Sequence, residues 1–198
     1  KEKSNPIYIA KRVGINGKDF KMLKIRTMVV NADLTGINST AHNDPRVTKI
    51  GYKLRKYKLD ELPQLFNILF GQMSFVGPRP NVRRDTNLYT NVEKSLLSIT
   101  PGITDFASIV FSDESLILKN SLNPNLSYNQ LIRPGKSRLG LFYLKKRNFL
   151  LDICLILITI VSIFSRSISL KLVTNLLKKL KASKKLIEIA SRKKILEP

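Results

Sequence analysis

Two neighbouring carboxylates, Asp60 and Glu61, stand directly before an apolar set at helical spacing, Leu62, Leu65, Phe66 and Leu69. The pattern predicts a short helix from about Glu61 to Phe70. Asp60 sits at its N-cap, Pro63 in the tolerated first turn, and Gly71 at its stop. The unpaired N–H groups and positive dipole end of a helix start favour an ionised carboxylate and also attract phosphate. Beside a bound phosphate, two carboxylates can divide the work. One holds a divalent cation or attacks as a nucleophile, and the other moves a proton. An Asp-Glu pair at a helix start is equally the pattern of a plain cap, and both readings stand at this point.

A second group is Gly77-Pro78-Arg79-Pro80. Prolines on both sides of Arg79 stiffen the backbone and restrict the guanidinium, whose planar donor fork suits phosphate or carboxylate. A loop-capping ion pair would use the same residues. Lys24 and Arg26 form a third group: at a spacing of two they share one face of a strand. They are phosphate ligands if that face looks into a cleft and exposed edge charges if it looks outward.

The composition narrows the chemistry further. The single Cys, Cys154, makes no internal disulfide, and one Cys with one His, His42, makes no Cys/His zinc cluster. A His-based triad would have to use His42, in a polar, loop-like stretch. The 198 residues carry 35 Lys and Arg against 14 Asp and Glu, a net charge of +21 that points to a polyanionic partner. Phosphate-binding glycine fingerprints are missing: Gly14-Ile15-Asn16-Gly17-Lys18 lacks their spacing and a following helix. The basic segments lack interleaved aromatics, and no RNA-binding signature occurs, so nucleic acid is not an expected partner.

Positioning these groups requires an α+β fold: a small catalytic domain of short helices around a small sheet. Residues 7–28 read as strands around the turn at 14–18, and 31–46 as a loop. Further expectations are a helix over 47–57, a strand at 73–76, a helix over 85–98 and a strand over 103–111. A short helix over 113–118, a loop over 120–127 and helix on both sides of a break at Pro134-Gly135 follow. Residues 149–164 form a 16-residue apolar run holding Asp152, short of the ~20 needed to span a bilayer, so a buried or interface-lying helix is expected. From Arg166 onward, ten basic residues face two acidic ones, with leucines at loosely helical spacing. The expected division is therefore a domain over 1–165 and a basic helical tail over 166–198.

These segments, taken in order, resemble the bacterial sugar transferase family, the monotopic phosphoglycosyl transferases that start glycan assembly on polyprenyl phosphate. The resemblance runs through Lys24-Ile25-Arg26-Thr27-Met28, Asp44–Gly51, Leu54-Arg55, Leu59–Leu69, Gly71–Pro80 and Pro101–Thr104. It implies that Asp60 attacks the β-phosphate of a UDP-sugar, releasing UMP and holding the phosphosugar covalently, before polyprenyl (undecaprenyl) phosphate takes it. It further implies Glu61 as the proton acceptor and Mg²⁺ bound through Asp60. Pro78, Arg79 and Pro80 match the nucleotide-side loop, Lys24 a phosphate-facing lysine, and Arg55 an arginine tying the catalytic region to a membrane helix; Arg26 stays a substrate-binding candidate beside Lys24. The implied location is the cytoplasmic face of the bacterial inner membrane, against an anionic lipid surface.

Three departures accompany the resemblance. The family's N-terminal hydrophobic re-entrant helix has no counterpart before Ile7, so the sequence reads as a part beginning after that anchor or as a truncated, inactive homologue. Gln72 stands where many relatives carry Asp, and Asp105-Phe106-Ala107-Ser108 replaces a Gly followed by a Gln-Val segment. The alternative expectation is a basic membrane-surface binding protein without catalysis.

Overall fold

A computed structural model of the chain describes residues 5–35, 40 and 44–193. His42 and part of the 31–46 stretch lie outside the described residues. Strands β1 (Ile7–Val13) and β2 (Asp19–Ile25) pair antiparallel, with Ile7 opposite Ile25 and Val13 opposite Asp19. Their turn uses left-handed conformations at Asn16 (φ 54°) and Gly17 (φ 71°), residue types that adopt it at little cost. Ala10 and Met22 on one face of the hairpin join Met73 in a small core, with Ile68 and Ile103 packed against it.

Helix α1 (Lys49–Lys56) is capped by Thr48, whose hydroxyl accepts from Gly51 N at 2.9 Å. Gly51 must be glycine, because a Cβ there would stand 2.1 Å from the Thr27 carbonyl oxygen. Helix α2 (Gln64–Leu69) follows a 3-10 turn at Leu59–Glu61. Strands β3 (Ser74–Val76) and β4 (Gly102–Thr104) form a separate parallel pair. The single small sheet of the sequence reading is thus two two-stranded sheets. Helices α3 (Arg83–Thr86), α4 (Phe106–Val110), α5 (Glu114–Ile117) and α6 (Pro124–Ser127) are short. A π-helical turn at Tyr128–Ile132 leads into α7 (Arg133–Lys146), followed by α8 (Phe149–Phe164), α9 (Arg166–Lys179) and α10 (Lys184–Ser191).

The main core is helical. Phe106 and Val110 of α4, Leu139 and Tyr143 of α7, and Leu151 and Leu155 of α8 are buried together. Leu170, Val173 and Leu177 of α9, with Leu186 and Ala190 of α10, complete the same cluster. The helices after residue 165 therefore pack into the core by their apolar faces.

Several elements differ from the sequence expectations, and local hydrogen bonds supply the reasons. The helix expected over 85–98 is broken, because Thr90 and Glu93 form a reciprocal capping box that starts a new 3-10 segment, Glu93–Ser98. The strand expected over 103–111 stops at Thr104, because Asp105 accepts from Ser108 N at 2.7 Å and caps α4. Within the expected loop 120–127, Asn123 caps α6 with Pro124 in its first turn. Pro134 does not break the helix: the chain is helical on both sides, with a π-helical turn at Tyr128–Ile132 directly before α7, whose first turn holds the proline. The apolar run 149–164 is one helix with the expected bounds, capped by Asn148.

Two glycines let β3 and β4 meet. A Cβ on Gly102 would lie 2.1 Å from Gly77 N, and one on Gly77 would lie 2.6 Å from Thr100 O. Gly102→Ala is expected to cost at least ~1–3 kcal/mol, because backbone rather than a movable side chain is struck. The urea midpoint at unchanged slope measures it.

Candidate active site

Asp60 and Glu61 reach their positions through a left-handed residue. Lys58 (φ 60°) ends α1 and turns the chain into the 3-10 turn, where Glu61 N donates to Lys58 O at 3.2 Å. Asp60 is therefore inside this turn and caps nothing, a correction to the sequence expectation. The α-helix behind it starts three residues late, at Gln64.

Helix α2 is also inverted relative to its apolar pattern. Leu62, Leu65, Phe66, Leu69 and Phe70 are all exposed, whereas Gln64 and Asn67 are buried. Asn67 fastens the helix to the hairpin. Its Oδ1 accepts from Leu23 N at 2.9 Å, and its Nδ2 donates to Lys21 O at 2.8 Å and Gln72 Oε1 at 2.6 Å. The Asn67 bonds fix the carboxylate turn against β2. At Gln72 the departure from the family pattern exchanges one acceptor for another.

Glu61 is the hub. Its side chain is only 9% exposed and takes a two-pronged contact from Arg79: Nη2 to Oε1 at 2.5 Å and Nη1 to Oε2 at 3.3 Å. Lys24 Nζ adds a bond to Oε1 at 3.2 Å. Burial pushes the Glu61 carboxyl upward, but the charges of Arg79, Lys24 and Lys58 outweigh it and hold the group well below the usual range. Lys24 is lowered by burial, with Glu61 opposing, and Arg79 is raised by Glu61. A third of the Arg79 side chain remains exposed, so a ligand can reach it.

Asp60 contrasts with its neighbour. It is buried, 6% exposed, yet its carboxylate makes no hydrogen bond or ion pair among the described residues. Arg55 lies within electrostatic reach, held by an Nε–Thr27 Oγ1 bond of 2.8 Å. Pro78 and Pro80 are buried and carry Arg79 between them, with Gly102 N donating to Pro78 O at 3.1 Å. The structure thus brings together Asp60, Glu61, Lys24, Arg55, Pro78, Arg79 and Pro80. Arg26 is bound elsewhere: its Nε donates to Asn5 O at 2.8 Å and its guanidinium covers the Tyr8 ring at 5.5 Å.

Sequence reasoning missed further charged groups. Lys58 lies two residues before the dyad; the residue is exposed, while burial around its ammonium lowers it against the pull of Glu61. Lys136 of α7 pairs with Glu114 of α5 and lies 5.1 Å from the Tyr128 ring centroid. No periodicity links Lys136 and Glu114 to Arg79, so only the fold could reveal that pair, whereas the nearness of Lys58 to the dyad was open to the sequence. Lys136 and Glu114 both act electrostatically on Arg79 or are acted on by it.

The arrangement is a cationic cleft with one saturated and one free carboxylate. A sequence model described as bacterial sugar transferase matches residues 1–166. The chain belongs to that family. One relative, the exopolysaccharide production protein ExoY of Rhizobium meliloti, is 45% identical over 112 residues, covering 49% of this chain and 50% of that protein. Another, a UDP-glucose:undecaprenyl-phosphate glucose-1-phosphate transferase of Klebsiella pneumoniae, is 44% identical over 101 residues, 50% of this chain and 22% of that protein. An undecaprenyl-phosphate glucose phosphotransferase of Komagataeibacter xylinus is 35% identical over 169 residues, 81% of this chain and 30% of that protein. The chain thus spans half or less of the length of these relatives.

A depressed carboxylate stabilises the fold above its ordinary pKa and loses that contribution as pH falls toward the folded value. Glu61→Gln is expected to cost about 3 kcal/mol, since it leaves Arg79 and Lys24 unpaired. The wild-type advantage should shrink below the usual Glu value of 4.5. Denaturant titrations of both proteins at neutral and acid pH measure the difference.

Proposed function

We propose that the chain carries the catalytic part of a phosphoglycosyl transferase, moving a phosphosugar from a UDP-sugar to polyprenyl phosphate. The observation that carries this reading is the division between the carboxylates. Glu61 is saturated by Arg79 and Lys24, while Asp60, beside it and buried, is committed to nothing among the described residues. Names of the relatives supply the acceptor and, in one case, the UDP-sugar donor.

In the first step an Asp60 oxygen attacks the β-phosphorus of the donor. The bond from that phosphorus to the bridging oxygen breaks, and UMP leaves with the electron pair. In the second step an oxygen of the acceptor phosphate attacks the same phosphorus. The bond to Asp60 breaks, giving polyprenyl diphosphate-sugar and the free carboxylate. Lys24 and Arg79 receive the donor phosphates and stabilise the charge that develops on them. When phosphates occupy those cations, Glu61 loses its partners and rises toward the ordinary carboxylate range, where it can accept the acceptor's proton.

Mg²⁺ fits the donor set as a shared ion. No group of three or more acidic, His or Cys side chains that could hold a metal occurs among the described residues. Magnesium commonly uses one or two carboxylates with substrate phosphates and waters, and Asp60 supplies one such carboxylate. The ion would neutralise diphosphate charge.

The acceptor's lipid chain calls for a membrane surface, at the cytoplasmic face of the bacterial inner membrane in this reading. No described helix is long and apolar enough to cross a bilayer. Helix α8 buries Leu151, Leu155 and Ile158 and exposes Phe149, Leu150, Ile153, Leu157, Ile160 and Phe164. An apolar stripe of this size suits an interface-lying helix, and the positive charge suits anionic lipid.

With the matching UDP-sugar and Mg²⁺, the protein is expected to release UMP and to gain a phosphosugar adduct by intact mass. Asp60→Asn should show neither, and release of UDP would rule out the covalent route. Flotation with phosphatidylglycerol-containing vesicles is expected to recover the protein. Leu157→Glu with Ile160→Glu should weaken that recovery by tenfold or more; undiminished binding would remove α8 from the contact.

A further inference from the structure

A cavity of about 110 Å³ opens beside the dyad, between the Lys58–Leu65 segment, β4, α4 and α8. Its walls are mostly carbon. Leu62 and Leu65 form one side, and Ile103 and Ile109 another. Ser108 Oγ on α4 is a buried wall hydroxyl with no hydrogen-bond partner among the described residues, whereas α8 contributes Thr159 and Ser162 with their hydroxyls turned to other partners. Thr159 Oγ1 meets Thr104 Oγ1 at 2.6 Å and donates to Leu155 O, while Ser162 Oγ donates to Thr159 O at 2.7 Å. Glu61 and Lys58 are the only charged residues on its wall among those described. A small apolar chamber therefore ends on the charged centre of the site. Cavities of ~150 Å³ accommodate a benzene ring, so this one has room for roughly one five-carbon unit.

We propose that this cavity seats the phosphate-proximal isoprene unit of the acceptor, with Lys58 receiving the acceptor phosphate. The inference rests on the reading of the acceptor as a polyprenyl phosphate and adds where, and by which residues, its lipid end is recognised. Three observations favour that occupant. The cavity adjoins Glu61, as a chain attached to a reacting phosphate requires. Lys58 is a cation with no hydrogen-bonded carboxylate among the described residues, unlike Lys24 and Arg79. Leu62 and Leu65 are about half exposed, so the chamber opens toward the apolar outer face of α2 and provides a path for the rest of the chain. Under this proposal α8, through Thr159 and Ser162, is a wall of the acceptor site as well as a core helix.

Farnesyl phosphate, which needs no bilayer, is the probe. A diazirine-bearing farnesyl phosphate is expected to label the peptides holding Leu62–Leu65 and Thr159–Ser162. Excess farnesyl phosphate should protect them, and equal inorganic phosphate should not. Labelling confined to other peptides, or protection by inorganic phosphate alone, overturns the assignment. In single-turnover assays, Leu62→Glu and Ser162→Phe are expected to lower the rate of transfer from the preformed adduct to farnesyl phosphate at least tenfold. Leu62 is half exposed, so its replacement does not threaten folding, and formation of the adduct reports an intact site. Undiminished transfer from that adduct in both variants also overturns the proposal. Failure of wild-type protein to form any adduct would instead sink the proposed reaction, while the labelling pattern still decides the location of the isoprenyl site.

Discussion

The ion pair between Glu61 and Arg79, shared with Lys24, joins three parts of the chain that have no local reason to meet. Lys24 comes from the hairpin, Glu61 from the turn after α1, and Arg79 from the loop after β3. Removing three charges from water is costly, and the cost is recovered only when the geometry saturates the charges. Here the carboxylate meets both Arg79 and Lys24. The same saturation leaves Asp60 without a hydrogen bond or ion pair among the described residues.

Helix α2 shows how far site construction can override hydrophobic patterning. Its inward face carries Gln64 and Asn67, and Asn67 uses two hydrogen bonds to β2 and one to Gln72 to hold the helix beside the hairpin. Its leucines and phenylalanines therefore point outward. Helix α8 repeats the theme, with one stripe in the core and another exposed. Both surfaces are the ones that the proposed function sets against lipid, and the strong positive charge of the chain accords with that proposal.

The helices after residue 165 extend past the residues matched by the family model. They are nonetheless integral to the core, through Leu170, Val173 and Leu177 of α9 and Leu186 and Ala190 of α10. Asp113 binds Arg166 at 2.8 Å and Arg192 at 3.3 Å, tying both ends of the segment to the loop after α4. The lysines of this segment lie mainly on the opposite, solvated faces.

The sequence by itself determined the α+β class, the hairpin and the bounds of α8, and it singled out Asp60, Glu61, Lys24, Arg55 and Arg79, which the structure brings together. Those features depend on local periodicity, on turn residues such as Asn16-Gly17, and on an ordered series of motifs. It also misjudged elements whose bounds depend on single side-chain caps, at Thr90, Asp105 and Asn123, because a capping residue and an ordinary polar residue look alike until the backbone is seen. Only the tertiary structure decided which carboxylate is free, that Lys136 and Glu114 stand near Arg79, and that Arg26 turns away to Tyr8. Those outcomes depend on distances between residues tens of positions apart. Such distances follow from the packing of the hairpin, the two glycine-mediated strand contacts and the helical core, and no local pattern encodes them.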